Sequence, residues 1–496
     1  MVQLWKILER RRNSLKTILF ISLAVILALS VGLIGCEGEG EGEPECPDVI
    51  MIGTARDTDE GMDVFECYHG GPAMRWFVNK VNADGGVHLS EYDTDTADCY
   101  VDLELVVREF SVGSWDIATV VQGLIDDGAD VIFGGPSTDT VYSIAPVCNL
   151  NGVILMSFEG GASKMVWESE SYLDVWPYVW INLSFANWYE IPVLKGIMDE
   201  AVGGTPKAYV TYIGGLGAEH GLEYLQTTID EFGEANVLPA GDPPGVEHTF
   251  DMGFIDQEQA NGIIQDAKAA LNTTPYDIFC AYTYPWNVAA LLIASMNYGF
   301  NPPAMIFGPG SSQGYFPLAW GDATIEGIMS FGTANEETEI AVGTPTMSMA
   351  DMYAEIGAQI EDDWVDYSVC PNSYNATAGT ELLDFWGLPI FAAGMEMWMN
   401  AVEEVGDLDN VAIRNVMASY SPTNPASTVF GDTWYTVFGG GLGGGIVAYE
   451  CETGQIGQWQ SGVFEILGYS GITSVLPNND ATSTYIAMED NWAWLP

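Results

Sequence analysis

The chain has 496 residues, of which 48% are hydrophobic and 12% aromatic, and it carries a formal net charge of −55. The apolar content excludes general disorder, and the length predicts two or three domains. With 14 Lys and Arg against 69 Asp and Glu, the composition argues against charge-driven binding to nucleic acid or to an anionic membrane. The carboxylates instead predict a solubilising surface that favours the approach of neutral or cationic solutes over anions.

The first 46 residues have the pattern of an export signal. Basic residues within 6–16 precede an apolar run over 18–34, an order typical of a signal sequence. The run ends in Leu33-Ile34-Gly35-Cys36, which resembles a lipobox, where the cysteine is lipidated and becomes the first residue of the mature protein. We expect a signal peptide over 1–35 and a lipidated acidic tether over 36–46. The alternative is an uncleaved transmembrane helix, and both place the remainder outside the cytoplasmic membrane.

The eight cysteines predict disulfides more readily than a metal site. They contain no C-x-x-C spacing, which argues against zinc and thioredoxin-type sites. In an exported protein Cys67–Cys99 and Cys370–Cys451 are plausible bridges, but the sequence leaves the pairing open. Cys148 and Cys280 lie in apolar surroundings and are expected to pack as small hydrophobic residues.

Strands and helices alternate along the mature chain from Asp48. Short β-branched apolar runs predict buried strands, and apolar residues three or four apart predict helices. The first series has strands over 49–52 and 103–107 and helices over 72–82 and 115–127. The second series has helices over 191–202, 218–232, 256–271 and 287–298, and strands over 208–213, 278–282 and 305–307. Long helices over 349–360 and 388–405 follow, and the end is β-like over 446–449 and 462–467.

A βαβ unit over 128–163 completes the first series. Its strands, 131–133 and 153–156, flank a helix that begins at Thr138, and each strand is followed by Gly, Ser and Thr residues. Ligands of open parallel sheets collect outside the carboxyl ends of the strands. The hydroxyls and free backbone N–H groups of these two turns therefore predict a cradle for a small molecule.

Several segments in the same order resemble the type I periplasmic solute-binding proteins, in particular the leucine/isoleucine/valine-binding branch that serves ABC importers. The resemblance spans about 48–467 and is carried by the order of the segments rather than by one motif. These segments are Ala83-Asp84-Gly85-Gly86-Val87, 131–138, 152–163, Phe307-Gly308-Pro309-Gly310 and 322–329.

The resemblance implies an α/β fold with two Rossmann-like lobes of mainly parallel sheet, joined by three crossovers and closing around a ligand. Lobe one is expected over 47–181 and 331–430, and lobe two over 182–330 and 431–496. The implied partners are a small-molecule ligand and an ABC permease. We expect a monomer with no cofactor and no bound metal.

Site residues in lobe one are implied by position. Ser137 and Thr138 match the place where the family holds a carboxylate with a hydroxyl and backbone N–H, although capping the next helix explains them as well. Ala162 and Ser163 match a second ligand loop. Glu159 is a candidate partner for a cation, with an exposed loop carboxylate as the alternative. Phe65 is a weaker aromatic candidate.

In lobe two, Tyr282, Tyr284 and Trp286 fall where the family places an aromatic residue after a strand. Such a ring covers an apolar group or stacks on a cation; the alternative is packing under the following helix. Glu219 stands in the loop that usually carries a tyrosine facing the cleft. Gly308-Pro309 lacks the acid that follows it in amino-acid-binding members. Either Glu159 or Glu219 replaces this acid, or the ligand is not an α-amino acid, because a buried ammonium needs a counter-charge.

Two motifs found in enzymes occur in the sequence, but neither has the context that its chemistry requires. Gly310-Ser311-Ser312-Gln313-Gly314 matches the nucleophile pattern G-x-S-x-G, but no histidine follows it in the chain. The glycine run over 439–444 matches G-x-G-x-x-G, but a strand follows it rather than a helix, and we interpret it as a flexible loop near a crossover. The sequence predicts an anchored solute-binding protein of an ABC importer that is not an enzyme. The alternatives are a sensory module of the same fold and, less well supported, a surface hydrolase.

Overall fold

The computed structural model describes residues 45–57, 70–111, 116–135, 138–158, 172–183, 186–215, 218–241, 243–250, 255–283, 285–308, 311–340, 343–363, 383–448, 451, 456–468 and 483–484. The chain divides into two units, 1–45 and 46–496, and the fold lies in the second. The predicted signal peptide and the lipidation site at Cys36 lie outside the described residues. Within the described ranges, no helix has the length and apolarity needed to cross a membrane.

The first series of elements follows the hydrophobic pattern of the sequence. Its elements are β1 (Ile50–Asp57), α1 (Gly71–Asp84), β2 (Val87–His88), β3 (Tyr100–Val101), β4 (Leu103–Phe110), α2 (Ile117–Asp126), β5 (Val131–Gly134), α3 (Thr138–Asn151), β6 (Ile154–Ser157), α4 (Tyr172–Val175) and β7 (Val179–Ile181). Helix α1 has Pro72 in its first turn and ends at Gly85, whose φ of 111° suits a left-handed cap.

The second series repeats the alternation. Its elements are α5 (Ala186–Val202), β8 (Ala208–Gly215), α6 (Ala218–Phe232), β9 (Val237–Leu238), β10 (Val246–Phe250), α7 (Gln257–Thr273), β11 (Ile278–Tyr282), α8 (Pro285–Tyr298), β12 (Ala304–Gly308), α9 (Tyr315–Trp320), α10 (Asp322–Ile325) and β13 (Ile328–Phe331). Asp256 and Gln259 form a capping box at the start of α7, which satisfies two of its free backbone N–H groups.

The last part of the chain has helices first and short strands afterwards. Its elements are α11 (Met349–Asp363), α12 (Gly387–Val405), α13 (Asn410–Ser419), β14 (Ala426–Thr428), β15 (Gly431–Thr433), β16 (Tyr435–Val437), β17 (Gly445–Val447), β18 (Ile456–Gln460), β19 (Val463–Gly468) and β20 (Ser483–Thr484). The first twelve residues of α12, from Gly387 to Trp398, are all buried, and the helix packs against α1 and α13.

Two large sheets organise the described part of the chain, and two antiparallel pairs, β2–β3 and β14–β15, lie outside them. The first has seven strands in the order β16-β17-β7-β6-β5-β1-β4, parallel except for the β16–β17 pair. The second has nine, in the order β10-β8-β11-β12-β13-β18-β19-β20 with β9 beside β8. Its strands are parallel from β10 to β13, and β18 runs antiparallel to β13. The two predicted Rossmann-like lobes are confirmed.

The chain passes between the sheets three times, after β7, after β13 and between β17 and β18. One predicted boundary differs from the structure. The sequence assigned 431–496 to lobe two, but β16 and β17 extend the first sheet beside β7. Lobe one therefore continues through Val447, and the third crossover lies between 447 and 456.

The glycine-rich segment before β17 is closely packed rather than a flexible loop. A Cβ at Gly444 would lie 2.1 Å from the carbonyl oxygen of Val179, and one at Gly443 would lie 2.2 Å from that of Leu173. No real Cβ approaches an oxygen this closely, so only glycine lets the segment lie against the β7 side of the sheet.

The observed disulfide joins Cys46 to Cys99, not Cys67 to Cys99 as the sequence suggested. For the predicted Cys370–Cys451 bridge, Cys370 lies outside the described residues; the Cys451 Sγ is buried and accepts a hydrogen bond from the Trp434 backbone N–H. Cys148 and Cys280 are free and buried as expected. The observed bridge attaches the beginning of the folded unit to the residues just before β3.

Candidate functional site

The carboxyl ends of the strands in lobe one form one edge of the first sheet. Gly134 at the end of β5 pairs with Ser157 on β6, and Ser157 pairs with Ile181 on β7. The chain leaves this edge after β7 for lobe two. The edge on which the sequence places the small-molecule cradle is therefore also the edge next to the first crossover.

Asn182 holds the start of that crossover. It is buried, and its backbone N–H and side-chain Nδ2 both donate to the carbonyl of Ser157, at 2.7 and 3.0 Å. Its Oδ1 accepts a hydrogen bond of 2.6 Å from Tyr435 on β16. A Cβ on Gly394 of α12 would lie 2.5 Å from the Asn182 Cγ, so α12 packs directly against this amide. The Asn182 side chain thus links β6, β16 and the start of the first crossover.

Arg56 places a buried cation near the same edge. It is the penultimate residue of β1, its exposed fraction is 9%, and its Nη2 donates to Glu109 on β4 at 2.5 Å. Its buried Nε has no hydrogen-bond partner among the described residues. A desolvated guanidinium with an unused donor is suited to binding a carboxylate.

In lobe two, Tyr282 ends β11 and is buried in the interior of the lobe. Its hydroxyl shares a hydrogen bond of 2.6 Å with Thr228, and its ring stacks on Tyr224 with centroids 5.0 Å apart. Burial raises its pKa well above the ordinary value of a tyrosine. These contacts match packing under neighbouring helices, the alternative that the sequence left open for this residue.

A buried carboxylate lies between the lobes. Glu190 on α5 accepts hydrogen bonds from the Tyr224 hydroxyl at 2.8 Å and from the Trp386 indole Nε1 at 3.2 Å. Tyr224 also stacks on Phe331, the last residue of β13, with ring centroids 5.0 Å apart. Because Trp386 immediately precedes α12, this contact joins the first helix of lobe two to the main helix of lobe one.

Ser312, the serine of the G-x-S-x-G match, belongs to the same junction. It is buried and its hydroxyl donates to Asp384 at 2.5 Å. Asp384 also accepts from the backbone N–H groups of Trp386 and Gly387, at the start of α12. Ser312 thus helps to hold the carboxylate that caps α12, a structural role that accounts for its position.

Few of the predicted site residues have side chains that the structure describes. Tyr284, Phe65, Ser137, Glu159, Ala162 and Ser163 lie outside the described residues. Thr138, Glu219 and Trp286 lie in the first turns of α3, α6 and α8, but their side chains are not described. Their roles in ligand binding stay predictions.

The sequence did not predict three residues of the site region, Arg56, Asn182 and Glu190. Arg56 had a signal, since it is one of nine basic residues after Cys36 and follows the predicted buried strand over 49–52. Asn182 and Glu190 had none, because their importance comes from partners more than 190 positions away, Tyr435 and Trp386 respectively.

No protein-family model and no curated protein matches the sequence. Solved structures match the fold over most of the chain. The branched-chain amino acid transporter substrate binding protein LivJ from Streptococcus pneumoniae, in complex with isoleucine, is 12% identical with a TM-score of 0.58, and the match covers 84% of this chain and 97% of that one. A solute binding protein of an ABC transporter from R. palustris, in complex with benzoate, is 12% identical with a TM-score of 0.58, covering 90% and 100%.

An ABC transporter substrate-binding protein from Sphaerobacter thermophilus is 12% identical with a TM-score of 0.57, covering 89% of this chain and 98% of that one. At these identities the likeness shows the fold alone. The fold is that of the type I periplasmic binding proteins, as the sequence predicted.

Proposed function

We propose that this chain, which has the type I periplasmic binding protein fold, is an extracytoplasmic solute-binding protein anchored through Cys36 that delivers a small molecule to an ABC permease. The observation that carries the proposal is the pair of parallel sheets linked by three crossovers, with the chain leaving lobe one at the carboxyl edge of its sheet. Lobes connected in this way can close on a ligand by a hinge motion. No bond is made or broken; the work is capture and release.

The ligand we propose is a small polar or amphipathic solute that bears a carboxylate. Arg56 supports this choice, because an Arg with a buried, unused donor binds a carboxylate well. The hydroxyls predicted at Ser137 and Ser163 would complete the same head-group site. The solutes held by two matching structures, isoleucine and benzoate, both carry a carboxylate.

The contacts of Ser311 concern the choice of ligand, because no acid follows Gly308-Pro309 in this chain. Ser311 is buried, its hydroxyl donates to the carbonyls of Phe307 and Met329, and its N–H donates to Ser330. Ser311 therefore serves β12 and β13 rather than an ammonium. A free amino acid would therefore need Glu159 or Glu219 as the counter-charge of its ammonium, whereas a carboxylate without an α-ammonium, such as an aromatic acid, needs none.

Binding without turnover tests the proposal. The soluble chain without residues 1–36 is screened by thermal shift against amino acids, amides, polyamines and aromatic acids, and hits are measured by calorimetry. A carboxylate solute should bind with a dissociation constant near the micromolar range, about −8 kcal/mol. A product in the mixture would instead support a hydrolase.

Matched variants locate the site. Arg56→Gln should weaken the carboxylate hit at least about tenfold, roughly 1.4 kcal/mol, and so should Ser137→Ala combined with Ser163→Ala. Arg108→Gln is the control, because Arg108 on neighbouring β4 also pairs with a carboxylate, that of Asp127, but is more exposed. Equal affinity of the Arg56 and Arg108 variants would remove Arg56 from the site.

A further inference from the structure

A cavity lies where the second crossover meets the β18–β19 hairpin of lobe two, and none of its lining residues belongs to the first sheet, whose carboxyl edge is assigned above to ligand capture. It has a volume of about 340 Å³ and lies between the α9–α10 segment and the β18–β19 hairpin. That volume is within the range of small-molecule sites. Its lining includes Pro317, Asp322, Glu336, Phe385, Trp459 and Phe464.

The β18–β19 hairpin bounds one end of this cavity. Because β18 is antiparallel to β13, its last residues lie beyond the amino end of β13, where Met329 pairs with Gln458. The hairpin turn at Ser461 and Gly462 lines the cavity from that end. The hairpin turn therefore bounds the cavity at the amino end of β13.

Three aromatic rings form one wall. The centroid of the Phe464 ring lies 5.5 Å from that of Phe385 and 5.1 Å from that of Trp459. All three side chains are buried, and the Trp459 indole N–H donates to the carbonyl of Ser311 at 2.7 Å. The wall is thus rigid, and aromatic rings attract cations at close range.

Two carboxylates complete the lining. Asp322 lies at the start of α10 and Glu336 follows β13 in the second crossover. Burial raises the pKa of the Glu336 carboxyl above its usual range. None of the described residues that line the cavity is Lys, Arg or His. An incoming cation would therefore gain two carboxylates without displacing a basic side chain from the lining.

From the aromatic wall and the two carboxylates we infer that this cavity binds a compact organic cation, an alkylammonium or guanidinium compound, at a site separate from the proposed capture site. The rings border the site as an apolar wall for the alkyl part of the cation, and Glu336 supplies the counter-charge. The acidity of the whole chain favours the encounter with cations.

Calorimetry with three probes, choline, n-butylammonium and methylguanidinium, tests the inference on the soluble chain at about pH 8, chosen on the alkaline side because burial raises the pKa of the Glu336 carboxyl. At least one probe should bind with a dissociation constant below roughly 1 mM. For choline, the neutral isostere 3,3-dimethylbutan-1-ol should bind at least about tenfold more weakly. The inference is overturned if no probe binds, or if the best binder is choline and its isostere binds equally well.

The variants separate this site from the other one. Glu336→Gln should weaken the best probe at least about tenfold, while Glu337→Gln, at the exposed neighbouring position, should leave it unchanged. Arg56→Gln should also have no effect. Equal affinity of the Glu336 and Glu337 variants, or loss of probe binding in the Arg56 variant, would refute the site. Thermal unfolding of each variant verifies that the fold is intact.

Discussion

The indole Nε1 of Trp386 donates a hydrogen bond of 3.2 Å to Glu190, across the junction between the two lobes. The same carboxylate accepts from the Tyr224 hydroxyl at 2.8 Å, and all three side chains are at most 2% exposed. A buried carboxylate is stable only when donors surround it. The junction of the lobes is therefore held by a specific polar contact in addition to its apolar packing.

Removing this carboxylate should destabilise the protein. Glu190→Ala leaves the Tyr224 hydroxyl and the Trp386 indole N–H without this acceptor, and we expect the free energy of unfolding to fall by about 2–4 kcal/mol. Glu190→Gln, which keeps an acceptor, should cost less. Urea unfolding measures both, with Glu200→Ala, exposed on the same helix, as the control. If Glu190→Ala unfolds at the same urea concentration as the control, the contact contributes nothing.

Glu396 should make stability depend on pH. It is buried on α12, where it accepts from the Thr346 hydroxyl and the Val429 backbone N–H, and burial raises its pKa to about 7 from an ordinary value of 4.5. Between these two pH values the folded protein keeps a proton that the unfolded chain has released. The contribution of Glu396 to the free energy of unfolding therefore falls as the pH rises through this window and is constant above it.

The matched measurement compares Glu396→Gln with Glu403→Gln, an exposed carboxylate on the same helix. Relative to the Glu396→Gln variant, the wild type should lose on the order of 3 kcal/mol between pH 4.5 and pH 7. The Glu403 variant should follow the wild type. A constant difference across this range would show that the Glu396 carboxyl titrates normally.

Because backbone atoms lie so close to Gly444, adding a methyl group there should strongly lower the free energy of unfolding. Gly444→Ala places a Cβ 2.1 Å from the Val179 carbonyl oxygen and 2.6 Å from that of Trp176, so backbone must shift. We expect the free energy of unfolding to fall by at least about 2 kcal/mol. Gly204→Ala is the control, since no atom lies within 4 Å of its added Cβ. Equal stability of the two variants in a denaturant titration would contradict the packing at β17.

The Cys46–Cys99 bridge closes a loop with a sequence separation of 53. In the chain-entropy model a loop of this length contributes about 4 kcal/mol of stability, because the bridge restricts the unfolded chain. Cys46→Ser combined with Cys99→Ser should lower the urea midpoint accordingly, and a reducing agent should do the same to the wild type. Cys148→Ser serves to detect a general effect of removing a thiol. A double variant as stable as the wild type would show that the bridge contributes no stability.

The amino-acid sequence by itself determined most of the regular structure. The predicted helix at 218–232 and the strand at 278–282 have the same bounds as α6 and β11. Such segments are dictated by local forces, since apolar periodicity, caps and β-branched runs act over a few residues. The order of these segments, together with the glycine-rich loops, was enough to predict two parallel-sheet lobes and the type I fold.

Only the tertiary structure decided which distant residues meet. Strands β16 and β17 have three residues each, too few to show a period, and their place beside β7 depends on glycines that admit close backbone packing. The partner of Cys99, the contact between Glu190 and Trp386, and the burial of Arg56 likewise depend on pairings over long sequence separations. Nothing within a local window encodes such pairings, because their free energy arises only when the whole chain has packed.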